Sequence, residues 1–242
     1  MVAPILSHDT LFAGKLYCSQ SLDGYRFSID AVLLAHFATP RRQDRVLDLG
    51  AGSGVVSLIL AYRHPSIVLT CLEIQESLSA LIAYNISQNG LADRMRLVTG
   101  DLRSVHDLLE VGAFDMVVCN PPYYGLGSGH RNPDDEQAVA RHELKAGLQD
   151  IVTAAAFALR TKGRLVMIYP AARGAALLVA LRQRHLEPKR LQVVYPYPGA
   201  EGTLLLVETL KGGGEELTVL PPLYVCDRLG GDYTPEVAAF YR

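Results

Sequence analysis

From residue 45 onward, short apolar runs alternate with stretches of helical spacing, the pattern of successive βαβ units around a parallel sheet. Residues 45–49 predict a first strand, and an apolar helix follows a glycine cluster from 55 to about 62. A second strand is expected at 67–73, then a helix over 77–89 closed by Asn89-Gly90, a helix-stop pair. Strands three and four fall at 95–98 and 114–119, with a short helix near 105–109 between them. A helix at 148–159, a strand at 164–169, a helix at 171–184 and strands at 191–195 and 203–209 complete the series. Only 196–202 separates the last two strands, too short for a crossover, so the seventh is expected to run antiparallel. The expected fold is α/β: a Rossmann-like seven-stranded mixed sheet (six parallel strands, one antiparallel) flanked by helices, with a small N-terminal extension. In that extension, Ser28 or Asp30 caps a helix running through Phe37. The pattern defines no elements in 217–242.

Composition narrows the class. The 242 residues are 49% apolar and 20% charged, which supports a sizeable core and opposes disorder. With 23 basic and 25 acidic side chains the net charge is −2, excluding a broadly basic nucleic-acid coat protein but not a local basic patch. No apolar run approaches the roughly 18 to 20 residues of a membrane-spanning helix. Residues 1–9 lack the basic start of a signal peptide, so a soluble, cytoplasmic protein is expected. Cys18, Cys71, Cys119 and Cys226 lie far apart with no Cys-x-x-Cys pair, indicating neither a zinc site nor a disulfide framework; no metal is expected.

The first chemical signal is Asp48-Leu-Gly50-Ala-Gly52-Ser-Gly54, between a predicted strand and helix. Glycines there let the chain turn tightly and let a ligand lie against the backbone at a helix N-terminus. A nicotinamide loop would place its third glycine at position 55, where this chain has Val55. Glu73 ends the second strand about 20 residues on, where a carboxylate accepts both ribose hydroxyls of a nucleoside. Asp101, with Leu102, follows the third strand at a position able to read the amino group of an adenine. Asp48, Glu73 and Asp101 all fall at carboxyl ends of adjacent strands, the ligand-binding edge of open α/β sheets. Such an acidic edge suits a cationic nucleoside without phosphates, which describes S-adenosylmethionine better than NAD or ATP.

The fourth strand runs into Asn120-Pro121-Pro122-Tyr123. Two prolines fix the backbone and remove two amide donors. The Asn120 side-chain oxygen and the Pro121 carbonyl are left as rigid acceptors for an NH2 group, with Tyr123 as a stacking plate. Holding both hydrogens of a conjugated amine localises its lone pair and aims it at a methyl sulfonium, by orientation and electrostatics rather than strong base catalysis.

These motifs, in order over residues 45 to 210, resemble class I S-adenosylmethionine-dependent amino-methyltransferases with an Asn-Pro-Pro-Tyr loop, which act on adenine N6, glutamine N5 or guanine N2. Three further segments resemble the bacterial valine-tRNA (adenine-N6)-methyltransferases: Leu22-Asp-Gly-Tyr25-Arg26-Phe27-Ser-Ile-Asp30, Ala140-Arg141-His142-Glu143 and Gly231-Asp-Tyr233-Thr234-Pro-Glu236. The resemblance implies methyl transfer to N6 of a tRNA adenine, the adenosine 3′ of the anticodon, with S-adenosylmethionine as cofactor. It also implies that Tyr25, Phe27 and Asp30 help form the cofactor or substrate pocket. The expected division is a cap segment over 1–40, the methyltransferase domain over 41–211 and a tail over 212–242.

Strand direction sorts the basic residues. The run from Arg182 to Arg190 ends a helix and starts a strand, so it should lie away from the active edge as a solvated helix terminus. His130, Arg131, Arg141, His142 and Lys145 follow the fourth strand, and Lys15 and Arg26 precede the sheet; these are the candidates for RNA phosphate contacts around a flipped adenine. An isolated loop histidine such as His142 is not expected to be a general base. The alternatives are a glutamine-N5 methyltransferase acting on a protein, whose family carries a larger helical domain ahead of the sheet, and a non-catalytic cofactor- or RNA-binding module.

Overall fold

The computed structural model describes residues 6–21, 28–121 and 146–242. The chain opens with an antiparallel hairpin, β1 (Leu6–Leu11) and β2 (Leu16–Ser21). Its turn carries Phe12 and Ala13 at φ 53°, a left-handed backbone that bulky residues avoid. Phe12 is held there in the core, its ring stacked on Tyr62 at 4.4 Å. Helix α1 (Ile29–Phe37) follows, with Ser28 as its N-cap accepting the Asp30 amide. Six of its nine residues are buried, so this helix is enclosed rather than amphipathic.

The sheet then builds through β3 (Arg45–Leu49), α2 (Val55–Arg63), β4 (Val68–Glu73), α3 (Glu76–Gln88) and β5 (Met95–Thr99). After the short α4 (Val105–Leu108) come β6 (Phe114–Cys119), α5 (Leu148–Ala158), β7 (Leu159–Pro170), α6 (Gly174–Gln183), β8 (Leu186–Tyr195) and β9 (Leu204–Lys211). The seven strands from β3 to β9 lie in the order β8-β9-β7-β6-β3-β4-β5. Only β9 opposes its neighbours, forming a hairpin with β8 and pairing antiparallel to β7. The expected α/β mixed sheet is therefore present. Strand order reverses between β3, which leads outward to β4 and β5, and β6, which leads outward to β7. That is the switch point where the carboxyl ends of an open sheet leave a crevice.

Side chains alternate between two apolar layers. Val46, Met116, Val118, Val166 and Ile168 pack toward α1, α2 and the hairpin, while Leu47, Val117, Leu165 and Met167 pack toward α5 and α6.

The structure extends the sequence pattern in four places, one of them β7, which begins at Leu159 rather than at the expected 164. The hairpin β1/β2 was not expected. Strand β8 begins at Leu186, five residues early, because it pairs with β9 out to Lys211 and absorbs Pro188 at a bulge. The tail adds two two-residue strands, β10 (Thr218–Val219) and β11 (Leu223–Tyr224), both parallel to β8, making a nine-stranded sheet. Helix α7 (Pro235–Ala239), capped by Thr234, then seats Val237 in the core and stacks Phe240 on His36 at 4.2 Å. Among the described residues no helix is long and apolar enough to cross a membrane.

Candidate active site

The turn after β3 holds Gly50, Gly52 and Gly54 at φ 75°, 59° and 83°, all left-handed. An added Cβ at Gly50 or Gly52 would meet nothing within 4 Å among the described residues, whereas at Gly54 it would press on Ile82 at 3.2 Å. The glycines thus serve backbone conformation throughout, and at Gly50 and Gly52 they also leave bare backbone for a ligand to approach. Gly54 is the N-cap of α2 and supplies no side-chain cap.

Asp48 supplies one from beneath. It is 1% exposed, and its carboxylate accepts the Ser57 hydroxyl at 2.7 Å together with the Ser57 amide, in the first turn of α2. A carboxylate satisfies orphan amides there and faces the positive helix end. Burial nevertheless dominates and pushes its pKa up to about 7, the Ser57 hydrogen bonds opposing and the Glu73 charge adding to the rise.

Glu73, 4% exposed at the end of β4, reaches over the turn. One oxygen accepts the Gly52 amide at 2.8 Å and the other the Gln75 amide at 2.9 Å. Each carboxylate oxygen has a second lone-pair site, so the group is held rigidly and still able to accept two hydroxyls. One strand further out, Asp101 follows Gly100, whose amide donates to the Glu73 carbonyl. Asp101 caps the turn over Leu102 and binds the Arg103 guanidinium, and the hydrogen bonds from that side chain lead in lowering its pKa. Leu102 is half-buried beside it.

On the other side of the switch point, β3 and β6 keep one register, Val46 opposite Met116 through Asp48 opposite Val118. Continued two steps, it brings Asn120 level with Gly50. Cys119, one residue earlier, donates to the Leu49 carbonyl at 3.1 Å. Asn120 is half-buried and Pro121 buried. The structure thus assembles Asp48, the glycine turn, Glu73, Asp101 and Asn120-Pro121 along one edge of the sheet. Arg63, at the end of α2, donates to the Ala35 carbonyl, near the end of α1, at 2.7 Å, so the two helices meet at their carboxyl ends. Burial raises the Asp30 carboxyl against the lowering hydrogen bond from Ser28.

Tyr25, Arg26, Phe27, Pro122, Tyr123, His130, Arg131, Arg141, His142 and Lys145 lie outside the described residues. The 182–190 run sits at the amino end of β8, opposite this edge. Residues 182–185 are exposed, a solvated helix terminus as expected, with Arg182 pairing with Glu187 and Glu215 at the surface; further along, Arg190 pairs with Glu208 and lies over the Phe37 ring at 4.6 Å. Sequence reasoning missed two residues that shape the site's surroundings, Asn85 and Asn89. Their signal was present, as two amides four apart on an apolar helix face.

A glycine turn, a fixed carboxylate over it and an acidic strand edge thus meet at the switch point, the place where open α/β sheets take their ligands. The family model described as "Methyltransferase small domain" matches residues 17–185, and the chain belongs to that family. A tRNA1(Val) (adenine(37)-N6)-methyltransferase of Shewanella sp. (strain MR-4) is 35% identical over 148 residues, and the chain spans only 61% of that relative's length. An enzyme of the same name from Parabacteroides distasonis is 30% identical over 179 residues, 74% of each chain. Among solved structures, a predicted O-methyltransferase from Agrobacterium tumefaciens superposes with a TM-score of 0.71 at 23% identity, covering 88% of this chain and 95% of the other.

Proposed function

We propose that the protein transfers a methyl group from S-adenosylmethionine to N6 of an adenine in tRNA, with the adenosine 3′ of the anticodon as target. The observation that carries the reading is the pairing across the switch point: a rigid, acidic nucleoside cradle on β3 and β4 faces Asn120-Pro121 at the end of β6. The tRNA1(Val) relatives support the acceptor.

Bound S-adenosylmethionine supplies an electrophilic methyl group on a cationic sulfur. The open backbone at Gly50 and Gly52 lets the nucleoside approach, and Gly54 shapes the turn. Glu73, fixed by two amides, accepts the ribose hydroxyls. Asp101 and Leu102 frame the adenine ring of the cofactor, Asp48 holds the first turn of α2 beneath the glycine turn, and Asp30 is assigned to the cofactor side of the pocket. Asn120 and Pro121 accept the hydrogens of the target amine and direct its lone pair. Pro122 completes the rigid loop and Tyr123 stacks on the target base, a contact of about 1 to 3 kcal/mol. Tyr25, Arg26, Arg131, Arg141, His142 and Lys145 are assigned to the RNA side, with residues 1–40 and 212–242 flanking a catalytic domain over 41–211.

The test incubates purified protein with labelled S-adenosylmethionine and, separately, unmodified tRNA, DNA and a protein extract, followed by nucleoside and amino-acid analysis. N6-methyladenosine in tRNA alone is the expected product; methylglutamine in protein overturns the acceptor. Asn120→Ala is expected to lower kcat about 100-fold or more while cofactor Kd stays unchanged. Equal loss of cofactor binding contradicts this division of roles.

A further inference from the structure

Helix α3 and its C-cap bind the N-terminal hairpin through two asparagines, beside an apolar cluster that both share. The Asn85 side chain accepts the Ser19 amide at 2.9 Å and donates to the Ser19 carbonyl at 3.0 Å. Asn89 repeats this with Tyr17, at 2.9 and 2.8 Å. The spacing matches: four helical residues rise about 6 Å, and two strand residues span about 6.6 Å. The two amides therefore act as a surrogate strand on the edge of β2 that β1 leaves open, and they fix its register.

Asn85 does one thing more. Its second amide hydrogen goes to the Ser53 carbonyl at 3.2 Å, inside the glycine turn. The side chain is fully buried and both its hydrogens are used. The turn needs such outside support, since glycines contribute no side chains and α2 has no cap from Gly54. Glu73 holds one side of it at Gly52, and α3 holds the other, with Ile82 under Gly54 and Asn85 at Ser53.

We propose that Asn85 is a positioning residue that ties the docking of the N-terminal hairpin to the shape of the glycine turn. The Asn85 bridge to Ser53, rather than hairpin docking by itself, then sets cofactor affinity, and by reciprocity cofactor binding tightens the hairpin at that bridge. The inference rests on the reading of this turn as the S-adenosylmethionine site. Asn89 is the natural control, because it makes the equivalent hairpin bonds, and its hydrogen bonds among the described residues go to Tyr17 and Asn85 rather than to the turn.

The experiment uses the full chain with S-adenosylhomocysteine as probe. In the wild-type protein, saturation with the probe is expected to slow amide exchange at Tyr17 and Ser19 about tenfold; tight binding with unchanged exchange overturns the coupling, whatever the variants do. Asn85→Asp, which turns a donor into an acceptor facing two carbonyls, is expected to raise the Kd about tenfold and the cofactor KM alike, with kcat within about twofold. Asn89→Asp is expected to leave the Kd within about twofold. Equal weakening by both variants reduces Asn85 to hairpin docking and overturns the proposal. Should wild type bind no S-adenosylhomocysteine, the reading of the site fails separately, and the coupling is judged without ligand. Faster exchange over Gly52 to Gly54 in Asn85→Asp than in Asn89→Asp then supports it, and equal rates overturn it.

Discussion

At Asp48 the cost of burying a charge outweighs the hydrogen bonds from Ser57, and the carboxyl is pushed up to about 7. An unfolded aspartate titrates at about 4. Between those values the folded chain keeps a proton that the unfolded chain has released. Stability from this group is therefore complete below about pH 4 and is lost as pH rises through about 7. Asp48→Asn keeps an acceptor for Ser57 and cannot titrate. It is expected to flatten the fall in urea midpoint between about pH 5 and about pH 8 relative to wild type; an unaltered profile contradicts the buried-acid assignment. The identity of Asp48 and its place in the motif were legible in the sequence, but its cap on α2 was not. Residue spacing shows which groups reach a strand end, while only burial decides that Glu73 overhangs the turn and Asp48 lies beneath it.

Strand β7 pairs with β6, and its middle is anchored by a buried ion pair. Arg164 meets Asp44 at 2.9 Å and donates to the Thr39 carbonyl at 2.9 Å, with Glu208 at 3.9 Å. Breaking one partner strands a charge in the interior, so Asp44→Ala is expected to cost about 3 kcal/mol in chemical denaturation. Adding Arg164→Met should recover part of that loss, because no unpaired charge then remains. Additive losses contradict a coupled pair. At this scale the sequence pattern served well where one rule acted alone. The bounds predicted for β3 and β6 coincide with the observed strands, since apolar runs bracketed by turn residues have one reading. It failed where pairing overrode composition, as in β8, extended past Pro188 by β9. It failed also in β2, whose register is set by asparagines 66 and 72 positions away.

Over the whole molecule, the two chain ends close on the same layer. Phe12 of the hairpin stacks on Tyr62 of α2, and Phe240 of the tail stacks on His36 of α1. Val237 is fully buried within the apolar cluster that includes α1, α2 and the hairpin. Val237→Ala is expected to lower stability by about 2 kcal/mol while unfolding remains a single transition; a separate early transition would mean that the tail unfolds on its own. Local pattern alone determined the βαβ succession, the antiparallel last strand, the glycine turn and the order of acidic and Asn-Pro-Pro-Tyr signals, because each depends on neighbours within one element or one connection. Tertiary structure decided the hairpin's place, the two short strands of the tail and the grip of α3 on the turn. Those depend on single polar groups meeting partners far along the chain, and such pairings leave no periodicity to read.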